Sequence, residues 1–230
     1  VSTEAGLATG NPMLGIFGFA ENRQVLMAAS TLKGEEQPVL KAFQRIQEAR
    51  DDAILIVVPR HPERAQDVFR LAEQMGFTVM LRSALTVDEF NVSDVVVVDS
   101  IGELPWLFQL ATVVFVGGSL VPAGGHNILE PAVFGKPIVF GPYMENFLEI
   151  ADLFLRRSAA IQVSSATVLQ DEVVDLMADP ERRARIGDAA RLLVEEEKGA
   201  QVKTLAALTE LLPPDRPNLG HQSSKIRVVL

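Results

Sequence analysis

The sequence predicts an α/β protein: a doubly wound, mostly parallel sheet with helices on both faces and additional helices at the C-terminal end. Three observations carry this. Short β-branched runs alternate with helical patterns along most of the chain. Runs such as AILIVV and VVVV are apolar at every position, as strands covered on both faces must be. Strands linked through helices require right-handed crossovers, and hence parallel neighbours.

The elements follow in order. Val25–Ala29 is the first strand, and an amphipathic helix follows over Glu35–Arg50. Ala53–Val58 leads into a helix over Pro62–Met75. Phe77–Leu81 is a weaker strand, followed by an irregular segment. Asp94–Val98 precedes a helix over Ile101–Leu110. Thr112–Val116 runs into a Gly-rich loop and a helix near Ile128–Phe134. Pro137–Phe140 precedes a helix over Asn146–Arg157, and Ala160–Val163 is the last strand. Two helices follow, Thr167–Ala178 and Pro180–Glu197, with a third through Leu212. The domain is expected over 21–212. Residues 1–20, which begin VSTEAGLATGNP, read as a linker or hinge, and 213–230 as a disordered tail.

Composition narrows the function. With 230 residues, 48% of them hydrophobic, the chain can bury a substantial core. A net charge of −9 argues against a nucleic-acid partner and against docking on anionic lipid by this chain alone. The absence of cysteine excludes disulfides, thiolate metal sites and cysteine nucleophiles. No apolar run reaches the roughly 18 to 20 residues of a membrane helix. Three scattered histidines, His61, His126 and His221, do not make a metal site.

In open parallel sheets, ligands sit at the carboxyl ends of the strands, beside helix N-termini. The richest strand-end segment is VVFVGGSLVPAGGHNILEPAVFGKPIVFGP, Val113–Pro142. A strand runs into Gly117–Gly118, and Gly124–Gly125 lies just before a helix. Glycine lets the backbone approach a ligand closely. Free amides at the helix start, after His126 and Asn127, suit a phosphate, and Glu130 suits a ribose diol. The alternative is two tight turns with Asn127 as a helix cap. The pattern matches neither GxxxxGK[ST] nor GxGxxG, and Ser119 is not in a GxSxG elbow.

GGSLVPAGGHNILEPAVFGKPIVFGPYMENFLEI resembles the signature of 3-deoxy-D-manno-octulosonic acid (Kdo) transferases, which build the inner core of lipopolysaccharide. AASTLKGEE at Ala28–Glu36, VVPRHPER at Val57–Arg64 and DSIGELPWLF at Asp99–Phe108 match the same family in order. The resemblance covers roughly residues 20 to 165. It implies the Rossmann-like, donor-binding half of a GT-B glycosyltransferase that moves Kdo from CMP-Kdo to a lipid A precursor. Transfer is then inverting and free of metal and cofactor. By similarity, Pro59 and Arg60 line the CMP site, with Arg60 near the donor phosphate or carboxylate. Ile101, Gly102 and Glu103 lie near the cytidine. Gly118 and Ser119 face the phosphate, joined by Gly125 and His126. Asn127 and Glu130 close the loop, Glu130 on the ribose.

The family's general base belongs to its N-terminal, acceptor-binding domain, so that domain is an expected partner and this chain alone is expected to be inactive. Membrane association, at the cytoplasmic face of the inner membrane, is expected through that missing half, and the chain itself is expected to be soluble. Leu32, Ala123 and Tyr143 depart from the family pattern and leave the sugar contacts open. The rivals are a UDP-sugar transferase, a UDP-GlcNAc 2-epimerase-like enzyme, and a non-catalytic nucleotide-binding domain.

Among other candidates, Glu35 and Glu36 open a helix and are read as a first-turn preference or, as the resemblance suggests, a hinge or cleft contact. Trp106, Leu107 and Phe108, at helical spacing, are read as core.

Overall fold

The computed structural model describes residues 16–17, 20, 23–49, 52–85 and 93–211, with side chains up to 197. The expected tail, His221 and most of the expected lead-in lie outside the described residues. Phe17 and Ala20 are the exception. Both are buried in the core, so the packed unit begins before residue 21. The compact unit that carries the site runs to Glu195.

The strands are β1 (Gln24–Thr31), β2 (Ala53–Pro59), β3 (Val79–Leu81), β4 (Val95–Val97), β5 (Val113–Val116), β6 (Ile138–Phe140) and β7 (Ile161–Gln162). The helices are α1 (Glu36–Ala49), α2 (Ala65–Gln74), α3 (Leu104–Leu107), α4 (Leu129–Val133), α5 (Leu148–Arg156), α6 (Ala166–Ala178) and α7 (Pro180–Leu211). The strands form one seven-stranded sheet in the order β3-β4-β2-β1-β5-β6-β7, and every pairing is parallel. The doubly wound α/β class predicted from the sequence is therefore present.

Alternation within the apolar runs splits the core in two. Met27, Ile56, Val96, Val114 and Phe140 face one side, where α3, α4, α5 and α7 pack through Leu107, Ala132, Phe154 and Leu193. Leu26, Leu55, Val97, Phe115 and Val139 face the other, under α1, α2 and α6 through Phe43, Val68 and Leu176. Each fully buried large apolar side chain contributes about 1.5–3 kcal/mol, so these two layers hold the sheet. Phe115 is wholly buried in the central β5, and its replacement by Ala costs about 3–5 kcal/mol.

Three helices differ from the sequence reading. The expected Ile101–Leu110 helix begins only at Leu104, because Gly102 takes φ +88° and Pro105 sits at the helix start. The Ile128–Phe134 helix shrinks to Leu129–Val133, stopped by Gly135 at φ +63°. The two helices expected after Asp179 are one, α7, and Gly187 within it lies directly on the Gly135 carbonyl. Trp106 is also half-exposed rather than core, while Leu107 and Phe108 are buried.

From β1 the chain passes to β2, then to the edge strand β3, returns to β4 between them, and crosses to β5, β6 and β7 on the other side. The connections after β1 and β5 therefore leave in opposite directions. They open a crevice at the carboxyl ends of these two central strands, the usual ligand position of such sheets.

Candidate functional site

The crevice is a cavity of about 340 Å³ lined by Ala29 and Ser30 from β1 and Val116 from β5. Arg60 after β2, His126, Asn127 and Glu130 after β5, and the apolar Leu104, Phe108 and Phe147 complete it. A second cavity of about 160 Å³ shares Ser30, Arg60 and Leu104 with the first. It continues over Pro59, Pro62, Ser100, Ile101 and Gly102. The two form one bent cleft with Arg60 at the elbow.

Local chemistry explains each position. Ser30 takes φ +55°, rare for a non-glycine residue, at the last turn of β1. Gly117 has no room for a side chain there. A Cβ on it would meet the Ser30 carbonyl oxygen at 2.6 Å, so only glycine lets β5 leave beside β1. The Arg60 amide donates to the Thr31 carbonyl at 3.0 Å, which ties the start of the loop after β2 to the end of β1. The Arg60 residue is exposed, and no ion pair among the described residues engages its guanidinium.

His126 is half-buried, and its Nε2 has no hydrogen-bond partner among the described residues. Burial, with the positive charge of Arg60 and the proximity of His61, pushes its pKa below the ordinary histidine value, so the ring is neutral at pH 7. Asn127 Oδ1 accepts the Leu129 amide at 3.0 Å, and its Nδ2 donates to Glu130 Oε1 at 3.2 Å. Asn127 thus satisfies the first amide of α4 and also lines the cleft.

The structure corrects the expected phosphate donors. Gly118, Ser119 and Gly125 are buried and line neither cavity. The Gly118 and Ser119 amides donate to the Glu35 carboxylate at 2.7 and 3.0 Å. The Ser119 hydroxyl donates to the Val116 carbonyl and accepts the Gly141 amide at 2.8 Å. The Gly125 amide donates to the Gly118 carbonyl at 2.8 Å. These groups are scaffold because their hydrogen-bonding capacity is spent inside the protein. No hydrogen bond among the described residues uses the amides of His126 or Asn127, two residues that line the cavity.

Glu103 is the second correction. Its carboxylate accepts from Arg82 Nε at 2.8 Å, both side chains are largely buried, and it lines neither cavity. Arg82 in turn lies 5.9 Å from the Phe17 ring centre. Pro59, Arg60, Ile101, Gly102, His126, Asn127 and Glu130 do converge on the cleft. Sequence reading missed Ser30, Leu104, Phe108 and Phe147 as lining residues. Only the first carried a signal, as a polar residue directly after a strand.

No protein-family profile matches the chain. Among characterised proteins, it is 35% identical to the 3-deoxy-D-manno-octulosonic acid transferase of Haemophilus influenzae over 195 residues, 84% of this chain and 44% of that protein. It is 32% identical to the Bordetella pertussis enzyme of the same description over 212 residues, 91% of this chain and 49% of that protein. The chain thus spans less than half the length of either relative. Its fold superposes on the crystal structure of the C-terminal CMP-Kdo binding domain of WaaA from Acinetobacter baumannii with a TM-score of 0.71 and 36% identity, covering 79% of this chain and 98% of that one. Taken with the parallel sheet and its switch-point cleft, these matches show that the chain belongs to the 3-deoxy-D-manno-octulosonic acid transferase family, as a counterpart of its C-terminal domain.

Proposed function

We propose that this chain is the donor-binding half of a Kdo transferase and holds CMP-Kdo in the bent cleft around Arg60. The observation that carries the reading is the convergence of Arg60, His126, Asn127 and Glu130 on one cavity at the sheet's switch point. CMP-Kdo is anionic at both its phosphate and its sugar carboxylate, and this acidic chain offers it the Arg60 guanidinium, which no ion pair among the described residues engages. The amides of His126 and Asn127, which no hydrogen bond among the described residues engages, supply further donors to the phosphate. Glu130 accepts from the ribose diol, and the arm over Pro59, Ile101 and Gly102 takes the base. The second cavity's wall is mostly apolar, as a flat base requires.

In the reaction, a hydroxyl of a lipid A precursor attacks the anomeric carbon of Kdo. The carbon–phosphate oxygen bond breaks, CMP departs with the electron pair, and the configuration inverts. The hydroxyl proton goes to a base on the acceptor-binding domain. This chain's part is to neutralise the departing phosphate, with Arg60 and preorganised amides in place of a metal or cofactor. The whole enzyme works at the cytoplasmic face of the inner membrane, attached through its other half. Among the described residues, no helix is long and apolar enough to cross a membrane.

Isothermal calorimetry with CMP and UDP tests the reading. CMP binds more tightly than UDP, and Arg60→Ala weakens CMP by about tenfold or more, the worth of one charge-assisted contact. Equal affinity for the two nucleotides, or an Arg60→Ala chain that binds CMP as the native one does, contradicts it.

A further inference from the structure

The buried Glu35 stands at the point where the loops around the cleft meet. It is 0% exposed, and its carboxylate accepts four backbone amides. Oε2 takes those of Leu32 at 2.8 Å and Gly118 at 2.7 Å. Oε1 takes those of Ser119 at 3.0 Å and Leu120 at 2.8 Å. A carboxylate offers about four lone-pair sites, so this one is saturated. Burial raises the Glu35 pKa, and the four amides pull it back toward the charged form.

Three consecutive amides, Gly118 to Leu120, aimed at one point form a nest of the kind that holds anions. Here the protein fills that nest with its own anion. The consequences reach two walls of the cleft, those of Arg60 and His126. Through Leu32, Glu35 fixes the end of the loop whose Thr31 carbonyl holds the Arg60 amide. Through Gly118, whose carbonyl accepts the Gly125 amide, it fixes the turn that presents His126 and Asn127.

We infer that Glu35 is the positioning residue of the donor cleft: an internal anion that closes the glycine-loop nest to the ligand's phosphate and sets Arg60 and His126 at the distance the ligand needs. This rests on the donor-binding reading above. It goes beyond it in assigning the strongest anion-binding motif of the chain to scaffold rather than to substrate.

Glu35→Gln tests the charge at almost constant shape. One amide NH₂ then faces two N–H donors that it cannot accept. The expected result is a folded chain in which the ¹⁵N shifts of Gly118, Ser119 and Leu120 move without nucleotide, and CMP binds about tenfold more weakly. In Glu35→Ala the emptied nest admits an external carboxylate, so acetate restores CMP affinity saturably while chloride at equal ionic strength does not. Native CMP affinity in Glu35→Gln overturns the inference. A folded Glu35→Ala chain that acetate leaves weak does the same. If Glu35→Ala does not fold, Glu35→Gln alone decides. A native chain that fails to bind CMP contradicts the donor-binding reading instead. The ligand-free shifts of Glu35→Gln still decide whether Glu35 clasps the nest.

Discussion

Gly118 and His126 are in contact: a Cβ built on Gly118 would lie 2.9 Å from His126 Nε2. Gly118 also takes φ +67°, where side chains are strained. The glycine at the tip of β5 therefore makes room for the imidazole, and no side chain at 118 leaves the ring where it is.

Gly118→Ala is thus expected to cost about 1–2 kcal/mol of stability from the backbone alone. It also displaces His126 from the cavity wall. Urea unfolding and CMP titration of the same variant separate the two effects. Unchanged affinity with reduced stability makes the contact purely structural.

His126 gives a pH dependence with a definite sign. Its folded pKa lies below the ordinary value of 6.5, chiefly through burial, with Arg60 and His61 adding to it. The unfolded chain therefore binds more protons than the folded one just below pH 6.5, and stability falls as pH drops through that value. Relative to His126→Gln, the native chain loses melting temperature between pH 7 and pH 5.5. A pH-independent difference between the two contradicts a neutral, desolvated ring.

Asp94 acts in the opposite range. Burial alone would raise its pKa, but hydrogen bonds from the Thr78 hydroxyl and amide and from Gln47, with the Arg23 charge, hold it below 3.8. Its stabilisation is present above 3.8 and lost as pH falls through the lower folded value. Asp94→Asn therefore removes part of the acid-side loss of stability and loosens the turn before β4. Thermal melts from pH 5 to pH 2.5 check this, and parallel curves for the two chains refute it.

Gly187 sets helix propensity against packing. Alanine in a helix interior is favoured over glycine by about 1 kcal/mol. A Cβ at 187 would come 2.0 Å from the Gly135 carbonyl oxygen, so α7 must move away from the loop before β6. Overpacking costs about 1–3 kcal/mol, so the net sign is destabilising. A Gly187→Ala chain more stable to urea than the native one shows that the contact relaxes freely.

The strands were legible in the sequence because runs such as Ala53–Val58 are apolar at every position, which leaves few alternatives to a doubly covered sheet. The cleft was legible through Arg60, directly after β2, and through His126, Asn127 and Glu130 in the Gly-rich segment that follows β5. Glu35 was legible only as a first-turn preference or a hinge or cleft contact. Its role was not, because three of its four backbone partners lie 83 to 85 residues away. Ser119 misled for the same reason: an amide's availability depends on what folds back onto it. Trp106 misled because helical spacing identifies a face but not what covers it, and α3 is a single turn.

The central claim is most directly tested by a crystal structure of this chain with CMP. The account predicts density for the nucleotide in the bent cleft. The phosphate then lies on Arg60 and the amides of His126 and Asn127, the ribose on Glu130, and the Glu35–Gly118 bond is intact. Nucleotide outside that cleft, or phosphate seated on the Gly118–Leu120 amides with Glu35 displaced, contradicts it.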